Sequence, residues 1–107
     1  LVETVNTEKK LGFKFDYNID ADGHPQNIYC RSDHWSYAKY GIPVVFFTTG
    51  GHADYHQLTD EPQYINYEQS ARVARFVHDI ALAAANRPER LPVLPREQQD
   101  PAARCGA

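Results

Sequence analysis

Hydrophobic and polar positions divide the chain into short patterned segments. Val2 and Val5 fall at helical spacing with Lys9, with polar residues between, and Leu11-Gly12 follows. That predicts a helix through residues 2–10 with a glycine stop. Phe13, Phe15 and Tyr17 then alternate with Lys14, Asp16 and Asn18, the period of a strand with one polar face near a sheet edge. Residues 18–27 are rich in Asp, Asn, Gly and Pro and predict a loop. Ser32 or Asp33 is placed to cap a short helix through His34, Trp35, Tyr37, Ala38 and Lys39, with Gly41 at its end. Pro43 then opens a strand where its missing N–H costs least. Residues 44–47, Val-Val-Phe-Phe, are apolar at every position, as in a strand buried on both faces of a helix-covered parallel sheet.

The second half is simpler. Asn66 is a good N-cap with Gln69 three residues on as capping-box partner, and Pro88 closes the helical pattern. The predicted helix covers about residues 67–87. Val73, Phe76, Val77, Ile80, Ala81 and Ala84 mark its buried stripe, and Arg72, Arg75, Asp79 and Arg87 lie elsewhere on its surface. From Pro88 on, the chain holds four of its seven prolines, which predicts an extended or disordered tail over 89–107. Residues 1–88 are read as part of one α/β domain.

Composition changes this picture little. The 107 residues suit one small domain, and a net charge of −3 with no basic run speaks against nucleic acid as a partner. The longest apolar run, residues 42–47, is far short of the ~20 residues of a membrane span. Cys30 and Cys105 are read as two free thiols, with a disulfide between them as the alternative. The chain starts at Leu1, inside a predicted helix, so a piece of a longer protein is expected. The missing signal pattern then carries no information about compartment.

Candidate chemistry concentrates in residues 32–60, where a polar turn, a short helix and an apolar strand lead into a loop with two histidines and two aspartates. Open α/β sheets place ligands just beyond the carboxyl ends of strands. His52 and His56 are four apart, with Gly50-Gly51 before them to turn the backbone. Asp54 and Asp60 flank His56, and either could orient an imidazole or a metal-bound water. Asp60 could equally cap the turn at Glu61-Pro62. Asp33 and His34 have a plain reading, a helix cap and a ring packed on the sheet; a site role requires Asp33 to face the cavity of His56. Trp35 and Tyr37 are read as core and His78 as a surface residue. Asp20, Asp22 and His24 only faintly resemble a calcium loop, and the bidentate Glu that would close one is absent. They are read as a solvated turn.

The same residues carry a family resemblance. Ser32-Asp33-His34, then Gly41-Ile42-Pro43 before an apolar strand, then Tyr55-His56 with Asp60 four residues past the histidine, resemble the C-terminal part of the co-catalytic zinc aminopeptidases, metallopeptidase family twenty-eight. Glutamate carboxypeptidases and glutaminyl cyclases are related to them. The likeness runs from about residue 1 to about residue 88. It implies the C-terminal part of a three-layer α/β/α fold with a mostly parallel sheet and two zinc ions at its carboxyl edge. It also implies hydrolysis of N-terminal amino acids from peptides by a metal-activated water. Within it His56 corresponds to a zinc ligand and Tyr55 lies near the substrate, with Asp33 and Asp60 in the supporting polar network. His34, His52 and Asp54 are weaker candidates.

The family's remaining ligands and its general-base glutamate would lie upstream, and this chain has no Glu-Glu pair and no earlier His-x-Asp. The expectation is therefore no catalytic residue in these 107 residues, weak or no zinc binding by the chain alone, and no activity alone. Peptide is the expected substrate. The missing N-terminal part of the same protein is the expected partner, and an unpaired sheet edge would otherwise promote self-association. Relatives are often exported, which suggests the periplasm or the exterior, with the cytoplasm as the alternative. Two other functions compete: a non-catalytic α/β interaction module, and a glutaminyl-cyclase-like acyl transferase.

Overall fold

A computed structural model describes residues 1–21, 24–99 and 105, and among them three helices and four short 3₁₀ turns make up the regular structure. The helices are α1 (Val2–Glu8), α2 (His34–Ala38) and α3 (Tyr67–Ala85). The chain divides into two units, the first from Leu1–Phe13 with Thr48–Pro88 and the second from Lys14–Phe47 with Glu89–Ala107.

The first unit is α1 packed on α3. Asn66 caps α3 as its position predicts, its side chain accepting the Gln69 N–H at 3.0 Å. The capping box is not reciprocal, because the Gln69 side chain accepts instead from Arg72 at 3.2 Å. The buried stripe is narrower than the apolar pattern implies. Phe76 (1% exposed) and Ile80 are buried with Val5 of α1, whereas Val77 stays 41% exposed and Ala81 is also exposed. Among the described residues one small helix is the only element packed on α3, so a narrow seam suffices where a sheet would have covered a broader face.

Phe13 completes this core. Its ring stacks on Phe76 at 4.7 Å between centroids, and the Arg72 guanidinium, one turn earlier on α3, lies 4.2 Å from the Phe13 centroid. Arg72 also donates to the Leu11 carbonyl. Asn6 pairs with the Phe13 backbone in both directions, Nδ2 to the carbonyl at 2.9 Å and the Phe13 N–H to Oδ1 at 3.0 Å. A single amide side chain thus satisfies a part-buried peptide as a neighbouring strand would. His78 is on the surface of α3, its Nδ1 3.5 Å from Asp79.

In the second unit the 3₁₀ turn Ile28–Cys30 packs against α2 and against the turn Asn18–Asp20. Asp33 occupies the N-cap of α2, but its side chain makes no capping bond. Trp35 is half-buried under Lys39, whose Nζ is 4.3 Å from the ring centroid, and Tyr37 is exposed, so neither ring, both expected as core, joins the buried core. In the 18–27 segment His24 Nδ1 accepts the Gln26 N–H at 3.2 Å, a local turn bond consistent with the solvated reading. Asp22, a faint calcium candidate, lies outside the described residues.

Two expectations are corrected here. The first is the α/β class with its three-layer α/β/α fold and parallel sheet: no residue among those described is in a strand. Phe13 and Phe15 are half-buried and Lys14 and Asp16 exposed, so the period-two burial survives without a ladder. Residues 44–46, expected at the centre of a sheet, are 41–49% exposed. An apolar run records what a segment would bury. It does not supply the flanking strands whose N–H and C=O groups would hold it, and a strand without them gains no ladder. The second concerns the thiols, because Cys30 and Cys105 form a disulfide with Cα atoms 5.4 Å apart. The cysteines are 75 residues apart in sequence, and no local spacing signals such a pairing.

Candidate functional site

The histidine loop follows Thr48, whose hydroxyl accepts the Gly50 N–H at 3.0 Å, and Gly50 takes φ +87°, a region open to glycine. The backbone then folds through three successive tight turns. The Tyr55 N–H donates to His52 O at 3.2 Å, Gln57 to Asp54 O at 2.9 Å, and Asp60 to Gln57 O at 3.1 Å. Asp54 ties the loop to itself: it is half-buried and accepts the Thr59 hydroxyl at 2.7 Å in an exposed bond. The far end is tied to α3 by the Tyr67 hydroxyl, which donates to the Pro62 carbonyl at 2.7 Å.

Three of the expected site residues meet on this loop. The Tyr55 and His56 rings stack at 4.0 Å with 19° between planes, and His52 approaches Tyr55 edge-on at 6.1 Å. All three are exposed. Stacking occupies ring faces and leaves the in-plane nitrogens of an imidazole geometrically open, so His56 retains its capacity as a ligand. His56 also has φ +58°. Histidine visits this left-handed region several-fold more often than most residues, at a cost of order 1–3 kcal/mol. The loop holds the expected ligand in a backbone state that a histidine does not choose locally.

The carboxylates divide differently from the expectation. Asp54 is committed to Thr59, a partnership five residues apart that no sequence signal announced. Asp60 is exposed, and Glu61 rather than Asp60 is the N-cap residue of the turn Pro62–Tyr64, which sets aside its capping alternative. Asp33 and His34 belong to the second unit. There the His34 ring sits 4.9 Å from Phe46, and its buried Nδ1 has no hydrogen-bond partner among the described residues.

Among the described residues no three His, Cys, Asp or Glu side chains gather in a way that could hold a metal ion. A catalytic zinc ordinarily takes three protein ligands and an open position. The donors that the loop brings together, His52 and His56 around a tyrosine, do not make such a set. No helix among the described residues is long and apolar enough to cross a membrane.

Comparison with known proteins adds one match. The profile of peptidase family M28 fits residues 5–81, a span that runs from α1 through the histidine loop and most of α3. No curated protein and no solved structure matched the chain significantly.

Proposed function

Since the chain belongs to peptidase family M28, we propose that it is the C-terminal portion of a zinc-dependent aminopeptidase acting on peptides. The observation that carries this reading is that the family match includes the whole of the 52–60 loop. In the proposal His56 is the zinc ligand this chain contributes, Tyr55 lies along the bound peptide, and Asp33 and Asp60 belong to the polar surroundings. Among the described residues no ligand triad gathers. The other ligands and the general base are assigned to sequence outside these 107 residues, residues 1–88 being the family portion and 89–107 an appended tail. No catalytic step is assigned to the chain alone, and the isolated chain is expected to be inactive with little or no zinc.

An exported location, periplasmic or extracellular, forms part of the proposal. The Cys30–Cys105 disulfide supports it, since disulfides persist in oxidising compartments and are rare in reducing ones. The missing N-terminal part of the protein is the proposed partner, with self-association when it is absent.

The test is made on the full-length protein. Replacing His56 with Ala should remove most bound zinc, measured by elemental analysis, and most hydrolysis of an aminoacyl-4-nitroanilide. Unchanged zinc in a folded His56→Ala protein would refute the ligand assignment. An upstream sequence lacking the His-x-Asp, Glu-Glu and Asp ligands would refute the peptidase reading. A second reading, which the absence of a ligand triad among the described residues fits equally, is a non-catalytic interaction module. It predicts that the full-length protein also neither binds zinc stoichiometrically nor cleaves the substrate.

A further inference from the structure

The Pro-rich segment after α3 returns to the second unit at one defined place. The Leu94 N–H donates to the Gly41 carbonyl at 3.0 Å, and Gly41 is buried at φ +76°. The approach is close: a Cβ built on Gly41 would lie 2.7 Å from Leu94 Cβ and 3.0 Å from its nitrogen. The segment is itself folded, since the Gln99 side chain donates to the Leu94 carbonyl at 2.9 Å across the 3₁₀ turn Arg96–Gln98. Gly41 immediately precedes the exposed apolar residues 42–46.

A single backbone hydrogen bond between distant segments gives little net stabilisation against the entropy of closing the loop. The disulfide changes that balance. Along the chain Gly41 and Leu94 are 53 residues apart. Through Cys30–Cys105 the path is eleven residues from Leu94 to Cys105 and eleven from Cys30 to Gly41.

We propose that the Cys30–Cys105 disulfide is a redox-sensitive strap that fastens the Leu94 segment over Gly41, at the start of the apolar run, and that reduction loosens it. A dithiol reductant supplies two electrons and two protons. The S–S bond breaks to two thiols, and the reductant becomes a cyclic disulfide. The strap is fastened where thiols are kept oxidised and slack where they are kept reduced. For flexible chains, shortening the closed loop from 53 to 22 residues favours closure about fourfold.

The test is amide hydrogen exchange on the 107-residue chain, oxidised, reduced with dithiothreitol, and as the Cys105→Ser variant. The expected result is a Leu94 amide that exchanges about fourfold faster in the reduced and variant chains. The Leu11 amide, bonded to Asn6 O in the first unit, should stay unchanged. Three results overturn the proposal: equal Leu94 exchange in the oxidised and reduced chains, parallel loss of protection at Leu11, or two titratable thiols in chain purified without reductant. If Cys105→Ser does not fold, the reduced wild-type chain decides.

Discussion

Phe76 and Val77 are neighbours on α3, and the apolar pattern assigns both to the buried stripe. The structure separates them, which makes the pair a sharp test of the packing. Phe76 is 1% exposed and stacked on Phe13. A buried aromatic ring withdraws ~150–250 Å² from water, or roughly 4–6 kcal/mol at ~25 cal/mol per Å². Partial collapse of the site brings Phe→Ala losses to about 3–5 kcal/mol. Val77 is 41% exposed, so Val77→Ala forgoes only part of two methyl groups at about 0.8 kcal/mol each. Alanine's better helix propensity returns about 0.5 kcal/mol. The net for Val77→Ala is below about 1 kcal/mol. Urea unfolding followed by circular dichroism at 222 nm reads both, with m about 2 kcal/mol per M. The Phe76→Ala midpoint should fall by about 1.5 M or more, and the Val77→Ala midpoint by less than about 0.5 M. Equal shifts for the two variants would refute the narrow seam between α1 and α3 and restore the wider stripe read from the sequence.

Further outcomes follow from single contacts. Asn66→Ala removes the side-chain cap of α3 and should cost about 1 kcal/mol in the same titration, with Asn66→Ser nearly neutral. Asn6→Ala strands the part-buried N–H and C=O of Phe13 and should cost about 1–3 kcal/mol, whereas Asn6→Asp, which keeps only the acceptor, should recover part of the loss. Replacing His56 with Gly relieves a φ of +58° and should raise the thermal midpoint while abolishing the proposed metal role. A lowered midpoint would show that the His56–Tyr55 stack outweighs the backbone cost. Gly41→Ala should detach the Leu94 segment, since its Cβ would meet the Leu94 backbone, and faster exchange at the Leu94 amide would report it.

Local rules were legible in the sequence where the signal and its partner lie within a turn or two. The Asn66 cap, the extent of α3 and the short α2 are of this kind, and so is the surface position of His78. The His52, Tyr55 and His56 cluster was legible because its members are near neighbours on a glycine-led loop. The failures share a different cause. The run at 44–47 announced a sheet, but pairing requires strands that pattern alone cannot furnish, and the described chain leaves 44–46 exposed. The Cys30–Cys105 bridge, the Arg72 contact to Leu11 across 61 residues and the Asn6–Phe13 pairing are tertiary choices with no local periodicity. The Asp54–Thr59 bond is local, yet an Asp five residues before a Thr is too common a pattern to point to it.

The exposed run at 42–46 has a consequence for handling the chain. No Asp, Glu, Lys or Arg lies between Lys39 and Asp54, so a β-prone, water-facing segment carries no charge within it to repel a copy of itself. Pro43 is the single gatekeeper within it. The proline-free residues 44–49, Val-Val-Phe-Phe-Thr-Thr, have the composition of segments that stack into cross-β assemblies with dry, interdigitated side chains. Thioflavin-positive fibrils are therefore expected to form from concentrated chain and to nucleate at this run. Val45→Lys should delay their onset with little change in the unfolding midpoint, because the side chain it replaces is already half in water.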